Sequence, residues 1–90
     1  MPLSDSEITT ALASLPGWKL SGKAIERSFK FPDFVAALAF VNRIADAAER
    51  ANHHPDIAIH YNQVTLSLWS HDSGGVTKRD LKMAATINEL

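Results

Sequence analysis

One long helical pattern between two pairs of strand patterns constrains the fold of this chain more than any other feature. Pro32 and Asp33 open a run of apolar residues at helical spacing that reaches about Ala51. At ~1.5 Å per residue this helix would be roughly 30 Å long. In chain order we expect a helix at 4–15, strands at 18–20 and 24–31, the long helix at 33–51, strands at 57–61 and 64–70, and a helix at 77–90.

The order α-β-β-α-β-β-α predicts an α+β fold, in which a four-stranded antiparallel sheet carries three helices packed on one face. Local signals support the helix ends: Ser4 and Glu7 fit a capping box at the first helix, and Asn52 is suited to cap the long one. Residues 1–90 are expected to form a single domain, since a chain of 90 residues has room for one modest core.

Composition excludes several classes of function. The net charge is −1 with acidic and basic residues interspersed, so the sequence offers no basic surface for nucleic acid. The absence of cysteine excludes disulfides, thiolate nucleophiles and cysteine-based zinc sites. No apolar run approaches the roughly 20 residues that span a bilayer, and the N-terminal residues lack the pattern of a secretion signal. We therefore expect a cytoplasmic protein with neither a membrane nor a nucleic-acid partner.

All four histidines of the chain fall between His53 and His71. Histidine is the side chain whose unperturbed pKa lies nearest neutral pH, so a cluster can supply an acid and a base together. His53 and His54 follow the end of the long helix, and Pro55 favours an extended conformation for His54, so the two side chains should point in opposite directions. His71 comes from a different strand end, and its approach to His53 would place two imidazoles across a pocket.

Histidines, carboxylates, a proline and a tyrosine recur at fixed spacings in this region, in the order Glu49-x3-His53-His54-Pro55-x5-Tyr61-x9-His71-x8-Asp80. This pattern resembles the signature of the pterin-4a-carbinolamine dehydratase family, and the element order and the loop at 74–77 resemble the family over nearly the whole chain. The resemblance implies loss of water from a 4a-hydroxytetrahydropterin to give the quinonoid dihydropterin, which recycles the pterin of aromatic amino acid hydroxylases. It implies no metal and no cofactor.

The resemblance also implies roles for individual residues. His53, His54 and His71 form the catalytic set, with His53 and His71 as acid and base and His54 mainly binding and orienting the pterin. The substrate-binding residues implied are Glu49, Pro55, Tyr61, Trp69 and Asp80. The chain has Ile57 where some relatives carry an aromatic residue, so a stacking contact to the pterin ring is either missing or supplied by Trp69.

Some of these residues have structural alternatives. Asp80 lies three residues after Thr77 and could complete a capping box at the last helix. Glu49 could be a solvated charge paired with Arg50 or Arg43. Tyr61, at a strand end, could serve hairpin or core packing.

Further alternatives concern two more residues and the class of the protein. Trp69 could be a subunit contact instead of a pocket wall, and His60 is expected to be a solvated strand residue. A metal-binding module would use His53, His54 or His71 with Asp72 or Asp80, although no histidine pair has the spacing of a zinc site. A non-catalytic interaction protein on the same scaffold is a further alternative.

Self-association is the remaining expectation. The long helix is rich in alanine, and Trp69 lies on the strand face opposite Leu66 and Leu68. Either surface could pair with a second copy, and the family resemblance implies dimers or dimers of dimers. We therefore expect a homodimer or homotetramer that takes a small pterin as its substrate.

Overall fold

The computed structural model describes residues 2–90, and within them it has three helices and four strands. No helix in this range is both long and apolar enough to cross a membrane. The predicted α+β class and element order are confirmed. The elements are α1 (Asp5–Leu12), β1 (Lys19–Ser21), β2 (Ala24–Lys30), α2 (Phe34–Ala51), β3 (Asp56–His60), β4 (Gln63–Leu68) and α3 (Lys78–Asn88).

The strands form one antiparallel sheet in the order β1-β2-β4-β3. Hairpins join β1 to β2 and β3 to β4, and the two hairpins meet where β2 pairs with β4, with Ile25 opposite Leu68 and Phe29 opposite Val64. This arrangement leaves β1 and β3 as the two edges of the sheet. Every residue of β3 is exposed.

The core lies between the sheet and the helices that cover one of its faces. Alternate residues of β4 point inward because successive side chains of a strand point to opposite faces, and Val64, Leu66 and Leu68 are all buried. Phe40 of α2 packs over β2, with its ring centroid 4.7 Å from that of Phe29. The core therefore ties α2 to the centre of the sheet and fixes the position of the end of α2.

The end of α2 directs the chain into the region of the histidines. Asn52 adopts the left-handed conformation, with φ 50° and ψ 43°, and caps α2 as predicted. The backbone N–H of His53 donates to the carbonyl of Ala48 at 3.1 Å, which is the bond expected just after a left-handed cap. The chain thereby leaves the helix sharply, and His53 and His54 lie in the connection between α2 and β3.

The first helix is shorter than predicted. Its capping box is confirmed, since the Ser4 hydroxyl accepts from the Glu7 N–H and the Glu7 carboxylate accepts from the Ser4 N–H. The helix ends at Leu12 and not at Leu15. The N–H of Leu15 instead donates to the carbonyl of Leu12 at 3.0 Å, a tighter turn, and the Leu15 side chain is buried in the core.

Candidate active site

The connection between α2 and β3, the loop after β4 and the start of α3 line one cavity of about 450 Å³ that is open to solvent. It contains the three histidines of the sequence motif, and we refer to it as the histidine cavity. Each element brings a separate part of the motif: the end of α2 brings His53 and His54, and the loop after β4 brings His71. Its lining residues are Asn52, His53, His54, Pro55, Asp56, Trp69, Ser70, His71, Asp72 and Arg79.

His53 and Asp80 form a buried ion-pair geometry at one wall of this cavity. The Nε2 atom of His53 lies 2.5 Å from Oδ1 of Asp80, with 11% of the His53 side chain exposed and none of the Asp80 side chain. The Nδ1 atom of His53 has no hydrogen-bond partner among residues 2–90. Since no buried side-chain nitrogen or oxygen in that range lacks a partner, this atom must reach the surface. His53 is thus held at one nitrogen and open at the other.

The Asp80 carboxylate is held by other donors as well. Its Oδ2 atom accepts from the Ser70 hydroxyl and from the Thr77 N–H, both at 2.9 Å. The contact with Thr77 belongs to the predicted cap of α3, so Asp80 serves both the helix start and His53. A buried carboxylate needs such partners, because burial without them costs several kcal/mol. The network therefore fixes the orientation of His53 through a rigid group.

His54 contacts a different carboxylate from His53. Its Nε2 atom lies 2.6 Å from Oε2 of Glu49, and both side chains are mostly exposed. Glu49 therefore contacts a histidine, and the alternative pairing with Arg50 or Arg43 does not occur within residues 2–90. Exposed pairs of this kind contribute only about 0–1 kcal/mol to stability. The pair can orient His54 without fixing it as firmly as Asp80 fixes His53.

His71 packs against Trp69 at the far wall of the histidine cavity. The two ring centroids are 4.0 Å apart and the rings are inclined by 38°. Trp69 is half-buried, and in this chain it forms part of the pocket wall. His71 itself is exposed. An imidazole held only by stacking retains two ring nitrogens for a ligand.

Arg79 and Ser70 are among the lining residues that the sequence analysis missed. Arg79 reaches the cavity from the first turn of α3, where it pairs with Asp72 at 2.6 Å. That hydrogen bond from Arg79 lowers the pKa of Asp72 below its ordinary value. Ser70 is buried under the cavity, and the sequence predicted it only as the last residue of a strand. Neither has a signal in the sequence, since an arginine in a helix and a serine after a strand are common.

Tyr61 is not brought to the histidine cavity of its own chain. It occupies the two-residue turn after β3, with φ 50° and 67% of its side chain exposed. Pro55 and the cavity lie at the other end of this strand, roughly 20 Å away for six residues at ~3.4 Å each. Core packing is excluded by the exposure, and the substrate-binding role stays a prediction. His60 is exposed, as expected for a solvated strand residue.

The geometry gives no support to a metal site. Within residues 2–90 no three histidine, aspartate or glutamate side chains are grouped so that they could hold a metal ion. His53 and His54 point to different carboxylates, and Asp72 is paired with Arg79. What the arrangement can do is accept a proton at one imidazole and donate one at another across a small polar pocket.

A sequence profile described as pterin 4 alpha carbinolamine dehydratase matches residues 1–90. The chain belongs to the pterin-4a-carbinolamine dehydratase family. A relative from Koribacter versatilis is 61% identical over 88 residues, which cover 98% of this chain and 94% of the relative. A relative from Acidobacterium capsulatum is 54% identical, with 98% of this chain and 96% of the relative covered. Both are provisionally named as pterin-4-alpha-carbinolamine dehydratases.

Solved structures agree with the family assignment. The crystal structure of a transcriptional coactivator/pterin dehydratase from Brucella melitensis has a TM-score of 0.92 and 43% identity, and covers 99% of this chain and 97% of its own. A pterin dehydratase-like protein identified as a RuBisCO assembly factor in the alpha-carboxysome has a TM-score of 0.70 at 21% identity, and covers 81% of this chain and 87% of its own. At 21% identity, the similarity to this second protein shows a shared fold only.

Proposed function

We propose that this protein dehydrates a 4a-hydroxytetrahydropterin to the quinonoid dihydropterin by histidine acid–base catalysis. The bond between carbon 4a and the hydroxyl oxygen breaks as a proton is delivered to that oxygen, and water leaves. The lone pair of N5 forms a double bond to carbon 4a, and the N5 proton is removed. The reaction therefore needs one acid and one base and exchanges no electrons with a second substrate. Its role would be to recycle the pterin of aromatic amino acid hydroxylases.

The pairing of His53 with the buried Asp80 is the observation that carries this proposal. While the carboxylate accepts the proton on Nε2, neutral His53 presents an unprotonated Nδ1. This supports His53 as the base for the N5 proton. A carboxylate behind the imidazole also stabilises the imidazolium that forms when the proton is taken, as in other enzymes with an Asp–His pair.

The remaining roles follow from the positions around the cavity. His71 lies on a different element from His53 and carries no carboxylate partner among residues 2–90, which supports it as the acid for the leaving hydroxyl. His54 and Glu49 would bind polar atoms of the pterin at the exposed rim. Trp69 would supply an aromatic face for the ring. A cytoplasmic location stays a prediction.

An assay with a 4a-hydroxytetrahydropterin, produced in place by a hydroxylase, tests the reaction. We expect the protein to accelerate loss of water and to do so equally in excess chelator, since its acid and base are imidazoles. Stopped-flow absorbance would follow formation of the quinonoid product. A loss of activity in chelator that zinc restores would contradict the acid–base proposal in favour of a metal centre. No acceleration at all would favour a non-catalytic protein on this scaffold.

We propose further that the protein forms a homodimer through the exposed edge of β3. Ile57 and Ile59 lie on the helix-bearing face of the sheet, yet remain 39% and 38% exposed. Antiparallel pairing of two β3 strands about Ala58 would set Ile57 opposite the partner's Ile59 and Asp56 opposite the partner's His60. Apolar pairs of this kind stabilise a sheet, and a flat apolar edge is otherwise a liability. A further pairing of dimers into a homotetramer stays a prediction.

The same pairing of strands would also bring Tyr61 to the histidine cavity of the other subunit. The residue opposite the partner's Tyr61 would be Pro55, which lines the histidine cavity. Each subunit would then supply a tyrosine to the rim of the other subunit's pocket. This would account for a large aromatic side chain that is 67% exposed in its own chain.

Substituting Ile59→Lys should convert the dimer to a monomer, because each of the two lysines per interface would be desolvated opposite Ile57. Sedimentation velocity at micromolar concentration would detect the change from a dimer to the 9.8 kDa chain. Val35→Lys is the matched control, since Val35 is an apolar residue that is 75% exposed and belongs to α2, outside the β3 edge. A wild-type protein that sediments as a monomer, or an Ile59→Lys variant that remains dimeric, would contradict the proposed edge.

A further inference from the structure

A second cavity, of about 360 Å³, lies between the last two turns of α2 and α3, which lines it from Arg79 to Thr86. We refer to it as the basic cavity, because three of its lining side chains are cationic and none is acidic: Arg50, Arg79 and Lys82. The whole chain carries a net charge of −1, so this concentration does not reflect the average surface.

Helix geometry explains how the three cations meet. Arg79, Lys82, Met83 and Thr86 are spaced three or four residues apart on α3, so they share one face of that helix. On α2, Ala47 and Ala51 leave the space that larger side chains would fill. The floor is apolar, since Ala47 and Met83 are buried, while the cations stand at the rim.

The cations retain unused donors. Within residues 2–90, Arg50 and Lys82 form no ion pair, and Arg79 uses one nitrogen for Asp72. A guanidinium has five N–H donors in a fork that matches the oxygens of a carboxylate or a phosphate. Two unpaired cations beside a partly satisfied arginine therefore suit a ligand with a negative charge.

The basic cavity adjoins the histidine cavity, because His53 and Arg79 line both. A pterin whose ring contacts His53 would have Arg50, Arg79 and Lys82 in the adjoining cavity. We propose that this enzyme selects pterins whose side chain ends in an anionic group, a carboxylate or a phosphate ester, and that the basic cavity binds that group. The inference rests on the proposed function, since it takes the ring to bind in the histidine cavity.

Pterin fluorescence permits a direct binding test. We would measure the dissociation constants of 6-carboxypterin, of 6-hydroxymethylpterin and of its phosphate ester by fluorescence quenching at low and high salt. Both acids should bind about tenfold or more tightly than the neutral alcohol, the change expected for one added charge-assisted hydrogen bond. The preference should shrink as salt is added.

The double variant Arg50→Gln/Lys82→Gln should abolish the preference for the acids and leave binding of the neutral alcohol unchanged. Lys23→Gln/Lys30→Gln is the matched control, as it removes the same charge from exposed residues on the β1–β2 hairpin. Equal affinities for acids and alcohol, or a preference that survives in the Arg50/Lys82 variant, would overturn the inference while leaving the proposed reaction intact. Binding of none of the three pterins would also overturn the inference, whereas the proposed reaction is decided by the dehydration assay.

Discussion

Replacing His53 and His71 together by alanine is expected to reduce kcat to the level of the uncatalysed dehydration. Proton transfer by a placed side chain contributes about 10² to 10⁴ in rate, and the double variant loses both the acid and the base. Each single variant should lower kcat by about tenfold or more with little change in KM, because the lost interaction belongs to the transition state. The 4a carbon has two faces, so one histidine could serve partly in place of the other.

His54→Ala is the internal comparison for this series. His54 is exposed and held only by Glu49 at the rim, so its loss should raise KM more than it lowers kcat. Steady-state kinetics of the three single variants and the His53/His71 double variant would separate the roles. If the two single variants and the double variant all kept the wild-type kcat, the proposed acid–base pair would be wrong. Circular dichroism would confirm that each variant is folded.

The element order could be predicted because each helix and each strand is marked by the spacing of its own apolar residues. Helix ends were predicted where a cap is local: Ser4 with Glu7 bond across three residues, and Asn52 needs only its own left-handed backbone. The ends of elements that depend on contacts distant in sequence were not predicted. Trp18 was assigned to a strand, yet it precedes β1, and its indole N–H donates to Asn88, 70 residues away, at 2.8 Å.

The same distinction applies to the candidate site. The motif spacing pointed to His53, His54 and His71, and the fold brings all three to one cavity. Spacing along the chain does not give the distance in space, however. Because the strand between Pro55 and Tyr61 is extended, Tyr61 lies far from the histidine cavity of its own chain. Residues that reach the cavity only through the packing of α3, such as Arg79, have no mark in the sequence.

Substituting Asp80→Asn is expected to cause the largest loss of activity outside the histidines, about 10² or more in kcat. An asparagine has the same shape but only one oxygen, whereas Asp80 accepts from His53 at one oxygen and from Ser70 and Thr77 at the other. Its amide nitrogen must therefore face a donor. If it faces His53, the imidazole is driven to the tautomer with the proton on Nδ1, and the atom proposed to take the N5 proton is already occupied.

Ser70→Ala is the matched control for Asp80→Asn, because it removes one donor to the carboxylate without touching His53. It should lower the free energy of unfolding by about 1.5–3 kcal/mol, the contribution of one hydrogen bond to a charged group, and change kcat little, because the Thr77 N–H still donates to the same oxygen. Nitrogen chemical shifts of the His53 imidazole, measured in both variants, would report the tautomer directly. The expected result is a changed His53 tautomer and a low kcat in Asp80→Asn alone. A similar loss of kcat in both variants would contradict this role. Asp80 would then contribute to the stability of the fold, and the orientation of His53 would not depend on the charge of the Asp80 carboxylate.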